Sequence, residues 1–197
     1  MKPVQGMFQS RFTRRQALGF LPAALLSSSC GRRMSVTAEA DSNDPVTIIQ
    51  FDDTGRPTGA ATMFKVVRSD HDWRTQLSAE QYYVTRRRQT DTPFTGTYYR
   101  LERHGFFRCI CCGNALFRSE EKYDSGTGWP SFWAPIAKEN VRVRAEGRLT
   151  LSSGLEVVCR RCDAHLGHVF DDGPPPTKLR YCINESALKF VPYAADS

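Results

Sequence analysis

No apolar run in the 197-residue chain approaches the roughly 18–20 residues that a helix needs to cross a bilayer. An α-helical membrane span is therefore excluded. Seven cysteines are too sparse for a disulfide scaffold of this length, and their odd number sets at least one apart chemically. No solenoid-type repeat is present. The body also lacks a charge excess. The formal net charge is +6, but residues 1–40 hold Lys2, Arg11, Arg14, Arg15, Arg32 and Arg33 against Glu39 alone. The other 157 residues carry 21 basic and 20 acidic side chains. A polyanion-binding domain would carry its excess in the folded part. Only Arg86-Arg87-Arg88 clusters there, and three adjacent arginines read as a solvated face. Nucleic acid is not an expected partner. With 40% apolar and 24% charged residues, the composition is that of an ordinary globular domain with a tail.

The head has a pattern of its own. Residues 11–31 (RFTRRQALGFLPAALLSSSCG) set Arg14-Arg15 before an apolar stretch from Ala17 to Leu26. That stretch is too short to span a bilayer but suits a secretory signal, and Thr-Arg-Arg-Gln-Ala-Leu resembles the twin-arginine export signal. Residues 1–40 are expected to be an export signal and linker, which places the protein in the periplasm or anchored outside the cytoplasm. It would be cytoplasmic if the head is no signal. Cys30 suggests a lipid anchor, although Ser27 stands where a lipoprotein box wants its large aliphatic residue. Ala38-Glu39-Ala40 is the rival cleavage site.

Residues 41–67 read as a β-hairpin-like extension. Val46–Phe51 is a β-rich run, Asp52-Asp53-Thr54-Gly55-Arg56-Pro57 a turn, and residues 60–67 the return strand. Two short helices are expected next. Ser69 or Asp70 can cap the first, and Ser78-Ala79-Glu80-Gln81 forms a capping box for the second. Beyond residue 95 short apolar runs alternate with glycines and aromatics. Period-2 patterning such as Val141/Val143 favours an antiparallel β-domain.

Two C-x-x-C pairs, Cys109/Cys112 and Cys159/Cys162, present four thiolates from two turns, the set that tetrahedral Zn²⁺ accepts in structural sites. The 46 residues between them exceed the roughly 15–20 of a compact ribbon, so the site would join distant parts of the domain. Two disulfides are the rival. Cys182 stands outside this set. On a strand, Arg180, Cys182 and Asn184 share one face, and a nearby guanidinium lowers a thiol pKa. His165 and His168 offer imidazoles to orient a substrate or donate a proton. Trp129, after the Asp124–Gly128 loop, can present an indole at a cleft rim.

These motifs are ordered. Cys109-x-x-Cys112-Gly113, Asp124-Ser125-Gly126-x-Gly128-Trp129-Pro130-Ser131-Phe132-Trp133, Cys159-x-x-Cys162, His165-Leu166-Gly167-His168-Val169-Phe170 and Arg180-Tyr181-Cys182-Ile183-Asn184 resemble the motif series of the type B methionine-R-sulfoxide reductases. Residues 73–86 are similar to that family's helical segment. The resemblance runs from about residue 66 to residue 191 and makes residues 68–193 a catalytic domain.

The resemblance implies a mainly β fold of two antiparallel sheets behind short N-terminal helices, with one structural zinc ion on four cysteines. It implies reduction of the R epimer of methionine sulfoxide in oxidised proteins, a repair reaction under oxidative stress, by a monomer served by a thioredoxin-like reductant. By position Cys182 is the nucleophile and sulfenic-acid carrier. His165, His168 and Asn184 assist protonation through bound water, Arg180 stabilises the thiolate, and Trp129 packs on the substrate methyl. A zinc-stabilised module without catalysis is the alternative, against which the Arg180/Cys182/Asn184 set argues. One departure stands out: Thr127 occupies the place where many members carry a resolving cysteine. Cys111, Cys30 or direct attack by an external thiol would have to substitute.

Overall fold

The structure, a computed structural model, describes residues 44–145 and 150–194. The signal and anchor read in residues 1–40, Cys30 included, lie outside the described residues. Among those described the fold is mainly β and antiparallel throughout.

Strands β1 (Pro45–Phe51) and β2 (Pro57–Phe64) form a hairpin. Asp52 shapes its turn by accepting from the backbone N–H groups of Thr54 and Arg56, the local bonding that favours Asp in turns. Val46 and Ile48 alternate inward and are buried. The hairpin is tied down by Asn140, which is fully buried. Its Oδ1 accepts from Ile49 N–H at 2.8 Å, and its Nδ2 donates to the carbonyls of Ile49 and Ala115, each at 2.8 Å. One side-chain amide thus takes the place of a neighbouring strand.

Helices α1 (Asp70–Gln76) and α2 (Ala79–Arg87) each open on a serine capping box, Ser69 with Asp72 and Ser78 with Gln81. These reciprocal bonds satisfy backbone donors that a helix start leaves free. Trp73, Tyr82 and Val84 turn into the core.

The remaining strands make two sheets. The small one has the order β11 (Leu188–Pro192), β3 (Gly105–Cys109), β4 (Ala115–Arg118). The large one runs β5 (Lys122–Tyr123), β6 (Ser131–Phe132), β10 (Arg180–Ile183), β9 (His165–Phe170), β8 (Leu155–Cys159), β7 (Val141–Arg144). Phe107, Leu116 and Phe117 of the small sheet share one core with Phe132, Val157, Val169, Tyr181 and Ile183 of the large one. Phe117 stacks on Phe132 with centroids 4.5 Å apart, a pairing that contributes roughly 0.5–1.5 kcal/mol beyond its buried area. Val141 and Val143 lie on β7, antiparallel to β8, as their alternation predicts. Val141 is buried but Val143 is 41% exposed, because β7 is an edge strand and the core does not extend beneath its outer end.

Candidate active site

The register of the large sheet lines up polar side chains in a transverse row. Ser131 lies opposite Cys182, Cys182 opposite His168, His168 opposite Glu156, and Glu156 opposite Arg144. Directly paired residues share a face, so the row occupies one face while Phe132, Tyr181, Val169 and Val157 fill the other. Simple alternation would send His165, three residues before His168, to the opposite side. A bulge prevents this: Gly167 is opposite Val157, but His165, not Leu166, is opposite Val158. The extra residue resets the alternation, and the two imidazole rings meet edge-on at 5.4 Å. Gly167 takes φ +151, and a Cβ there would come within 2.1 Å of the Cys182 carbonyl oxygen. Only glycine lets β9 and β10 approach so closely.

Cys182, His168, Asn184, Phe170 and Trp129, with Thr90 and Gly167, line a cavity of about 150 Å³. Trp129 is held by its indole N–H, which donates to the Asp91 carbonyl at 2.9 Å. Asn184 is buried; its Oδ1 accepts from Asp91 N–H at 2.9 Å and its Nδ2 donates to the Leu166 carbonyl at 3.1 Å. The same amide therefore braces the segment that carries the indole. His165 is 3% exposed and lies behind His168, with Nδ1 2.9 Å from Glu156 Oε1. The candidate residues converge, but only His168 of the two histidines lines the cavity.

Arg180 grips Asp172 with two bonds, Nε to Oδ1 at 2.8 Å and Nη2 to Oδ2 at 2.9 Å, and lies over the Phe170 ring at 4.3 Å. Burial is the strongest influence on Cys182 and pushes its pKa above the ordinary 9.0, while Arg180 and the Thr127 hydroxyl pull the other way. Arg180 thus acts on the thiol in the expected direction, but burial acts more strongly against it. Desolvation outweighs a guanidinium whose charge Asp172 already balances, and the balance favours the thiol over the thiolate.

The four-cysteine set comes together from two turns of like geometry. Cys109 N–H donates to the Asn114 carbonyl at 2.7 Å, and Gly113 N–H to the Cys109 carbonyl at 2.8 Å. In the second turn Cys159 N–H donates to Ala164 at 2.9 Å, and Asp163 N–H to Cys159 at 3.0 Å. Both turns use a left-handed residue at the same place, Gly113 with φ 74 and Asp163 with φ 54. Asp163 also pairs with Lys65, Arg142 and Arg144. The sulfurs lie within 4.8 Å of one another, with Cys109–Cys162 at 3.7 Å and Cys112–Cys159 at 3.6 Å. None of the four is joined in a disulfide, in contrast to the rival reading. A tetrahedral ion with metal–sulfur distances of about 2.3 Å spaces its sulfurs by about 3.8 Å. The cluster can hold a metal ion, which would join β3 of the small sheet to β8 of the large one. Cys111, in the first turn, is buried with its carbonyl bonded to Gln76, and it does not line the Cys182 cavity.

Three features of the site escaped the sequence reading. Asp172 partners Arg180, and its only signal was the Asp171-Asp172 pair after β9. Glu156 backs the histidines; the signal was one charge in the apolar run Leu155-Glu156-Val157-Val158. Ser131, Ser125 and Thr127 form a hydroxyl chain, with steps of 2.7 and 2.8 Å, leading towards Cys182, which only the folded loop reveals.

A family model described as the SelR domain matches residues 77–192, leaving the hairpin outside the match. The peptide methionine sulfoxide reductase MsrB of Hahella chejuensis is 54% identical over 128 residues, spanning 65% of this chain and 91% of that protein. Its counterpart in Herminiimonas arsenicoxydans is 49% identical over 129 residues, spanning 64% and 91%. The chloroplastic peptide methionine sulfoxide reductase B1 of Oryza sativa is 49% identical over 121 residues, spanning 61% of this chain and 56% of that protein. The match begins at the C-cap of α1 and ends with the last strand, so it contains the whole polar row and both cysteine turns; the chain belongs to the MsrB family of peptide methionine sulfoxide reductases.

Proposed function

We propose that the protein reduces the R epimer of methionine sulfoxide, in oxidised proteins and as the free amino acid, with Cys182 as the atom that takes the oxygen. The observation that carries this reading is the small cavity in which the Cys182 sulfur, the His168 imidazole and the Trp129 indole converge. In the net step the Cys182 thiol and the sulfoxide become a sulfenic acid and a thioether. The bond from substrate sulfur to oxygen breaks, a bond from Cys182 sulfur to oxygen forms, and the thiol proton balances the one delivered to the oxygen. A sulfoxide oxygen leaves readily only when protonated, so an acid must stand beside the attacking sulfur; His168 is that group, with His165 behind it. Asn184 and Arg180 hold the surrounding geometry and charge. The sulfenic acid is the first, reversible stage of cysteine oxidation.

Three different groups around the sulfoxide sulfur make the site chiral. The indole takes the methyl, the imidazole side takes the oxygen, and Cys182 attacks from the third direction. Exchanging methyl and oxygen would put a polar atom on the indole, consistent with the need for one enzyme per epimer. The four-sulfur cluster holds a structural Zn²⁺ ion. A thioredoxin-like reductant resolves the sulfenic acid directly: one thiol forms a mixed disulfide with release of water, and a second frees Cys182. Residues 1–40 export the chain, on the pattern of Arg14-Arg15 followed by the apolar Ala17–Leu26 stretch.

The test is a coupled assay on R- and S-methionine sulfoxide with the parent and Cys182→Ser. Turnover of the R epimer alone, abolished in the variant, is expected. Retained R-sulfoxide reduction by Cys182→Ser would overturn the nucleophile, and no turnover of either epimer by the parent would overturn the reaction.

A further inference from the structure

Resting on that reading, we propose that Glu156 is a positioning residue of the reaction, which fixes the tautomer and orientation of His165 so that the paired imidazoles can deliver and take back a proton beside Cys182. Glu156 and His165 are both almost wholly enclosed, 4% and 3% exposed, and their Oε1 and Nδ1 atoms are 2.9 Å apart. A buried carboxylate can only accept, so the proton of neutral His165 sits on Nδ1. Nε2 is then the basic nitrogen. It is buried and makes no hydrogen bond to another atom among the described residues, an arrangement that costs free energy unless the atom is used. The ring it belongs to meets the His168 ring at 5.4 Å, and His168 lines the cavity with Cys182.

The surroundings keep Glu156 charged. Burial alone would push its carboxyl pKa up, but the His165 bond, Arg88 and Arg144 together hold it below the usual carboxylate value. Arg88 Nε comes from the end of α2 at 3.4 Å and Arg144 Nη1 from β7 at 3.7 Å. Facing the pair from the remaining elements are His168 on β9 and, through Arg144, Asp163 of the second cysteine turn. A fixed negative charge behind an imidazole raises the basicity of its far nitrogen and stabilises the imidazolium formed during proton transfer, the logic of an oriented acid–base pair. A purely structural salt bridge would not need a second imidazole, itself lining the cavity, against the His165 ring.

The experiment measures single-turnover sulfenic-acid formation against pH for the parent, Glu156→Gln and His165→Gln, alone and combined. Zinc content and thermal unfolding are followed in each. Glu156→Gln keeps shape and an acceptor but removes the charge. The expected result is a rate constant lowered roughly 10- to 100-fold, within the span of general acid–base contributions, with KM unchanged. The limb of the pH profile where the acid is lost should move to lower pH, and the double variant should be no slower than His165→Gln. Glu156→Asp should recover part of the rate. A Glu156→Gln profile within twofold of the parent, or effects that multiply in the double variant, would overturn the proposal. ¹⁵N NMR of His165 in the parent provides a readout independent of any variant's folding: Nδ1 protonated supports it, and the Nε2–H tautomer overturns it. A parent that forms no sulfenic acid would instead refute the proposed reaction itself.

Discussion

The hydroxyl oxygen of Thr127 lies 4.0 Å from the sulfur of Cys182. Position 127 therefore faces the proposed nucleophile, and Cys182 is the one thiol among the described residues that lines this cavity. A side chain able to close an internal disulfide would have to stand where threonine stands. Thr127→Cys is expected to supply it. After one equivalent of R-sulfoxide and no reductant, the variant should lose two thiols and yield a 127–182 cross-link by peptide mass mapping. The parent should lose one thiol and leave a sulfenic acid that a dimedone-type reagent labels.

Cys182 should alkylate slowly at neutral pH, since burial holds its pKa above 9.0, and its rate should still be climbing past pH 9. Arg180 favours the thiolate, so Arg180→Gln removes that support, raises the pKa further and slows alkylation. Asp172 opposes the thiolate, and Asp172→Asn should have the opposite sign. Iodoacetamide kinetics across pH, with Cys182 followed by peptide mass, give both directions.

The sulfur cluster connects the two sheets through β3 and β8. Under the proposed zinc assignment, removing the ion with a strong chelator, or replacing Cys112 by Ser, should therefore loosen the core and not merely one turn. One zinc per chain by elemental analysis, and loss of cooperative unfolding along with the metal, are the expected results.

Asn140→Ala strips partners from Ile49 and from the Ala115 carbonyl at once. A cost of about 2–4 kcal/mol is expected, because buried backbone groups left unpaired lose their full solvation. Urea denaturation measures it. Single-turnover rates on the folded variant should change little, since Asn140 belongs to the hairpin seam and not to the Cys182 cavity.

Local chemistry carried much of the fold. Ser78 with Gln81 three residues on marked the second helix start, and Ser69 or Asp70 bracketed the first, because capping bonds involve only neighbours in sequence. The hairpin turn at Asp52–Pro57 and the two C-x-x-C turns were equally legible, for the same reason. The face shared by Arg180 and Cys182 followed from the period of a strand.

What sequence alone determined was the set of reactive groups and their short-range geometry: one cysteine apart from four, two histidines, an indole after a glycine loop. Their meeting was decided by long-range pairing. The bulge at Leu166 that turns His165 to the side of His168 depends on β8, several residues upstream, and the place of Glu156 behind them depends on the same register. The raised pKa of Cys182 also belongs to the tertiary level. Proximity of Arg180 can be read along a strand, but the desolvation that outweighs it arises only when the loops carrying Thr127 and Trp129 close over the sulfur.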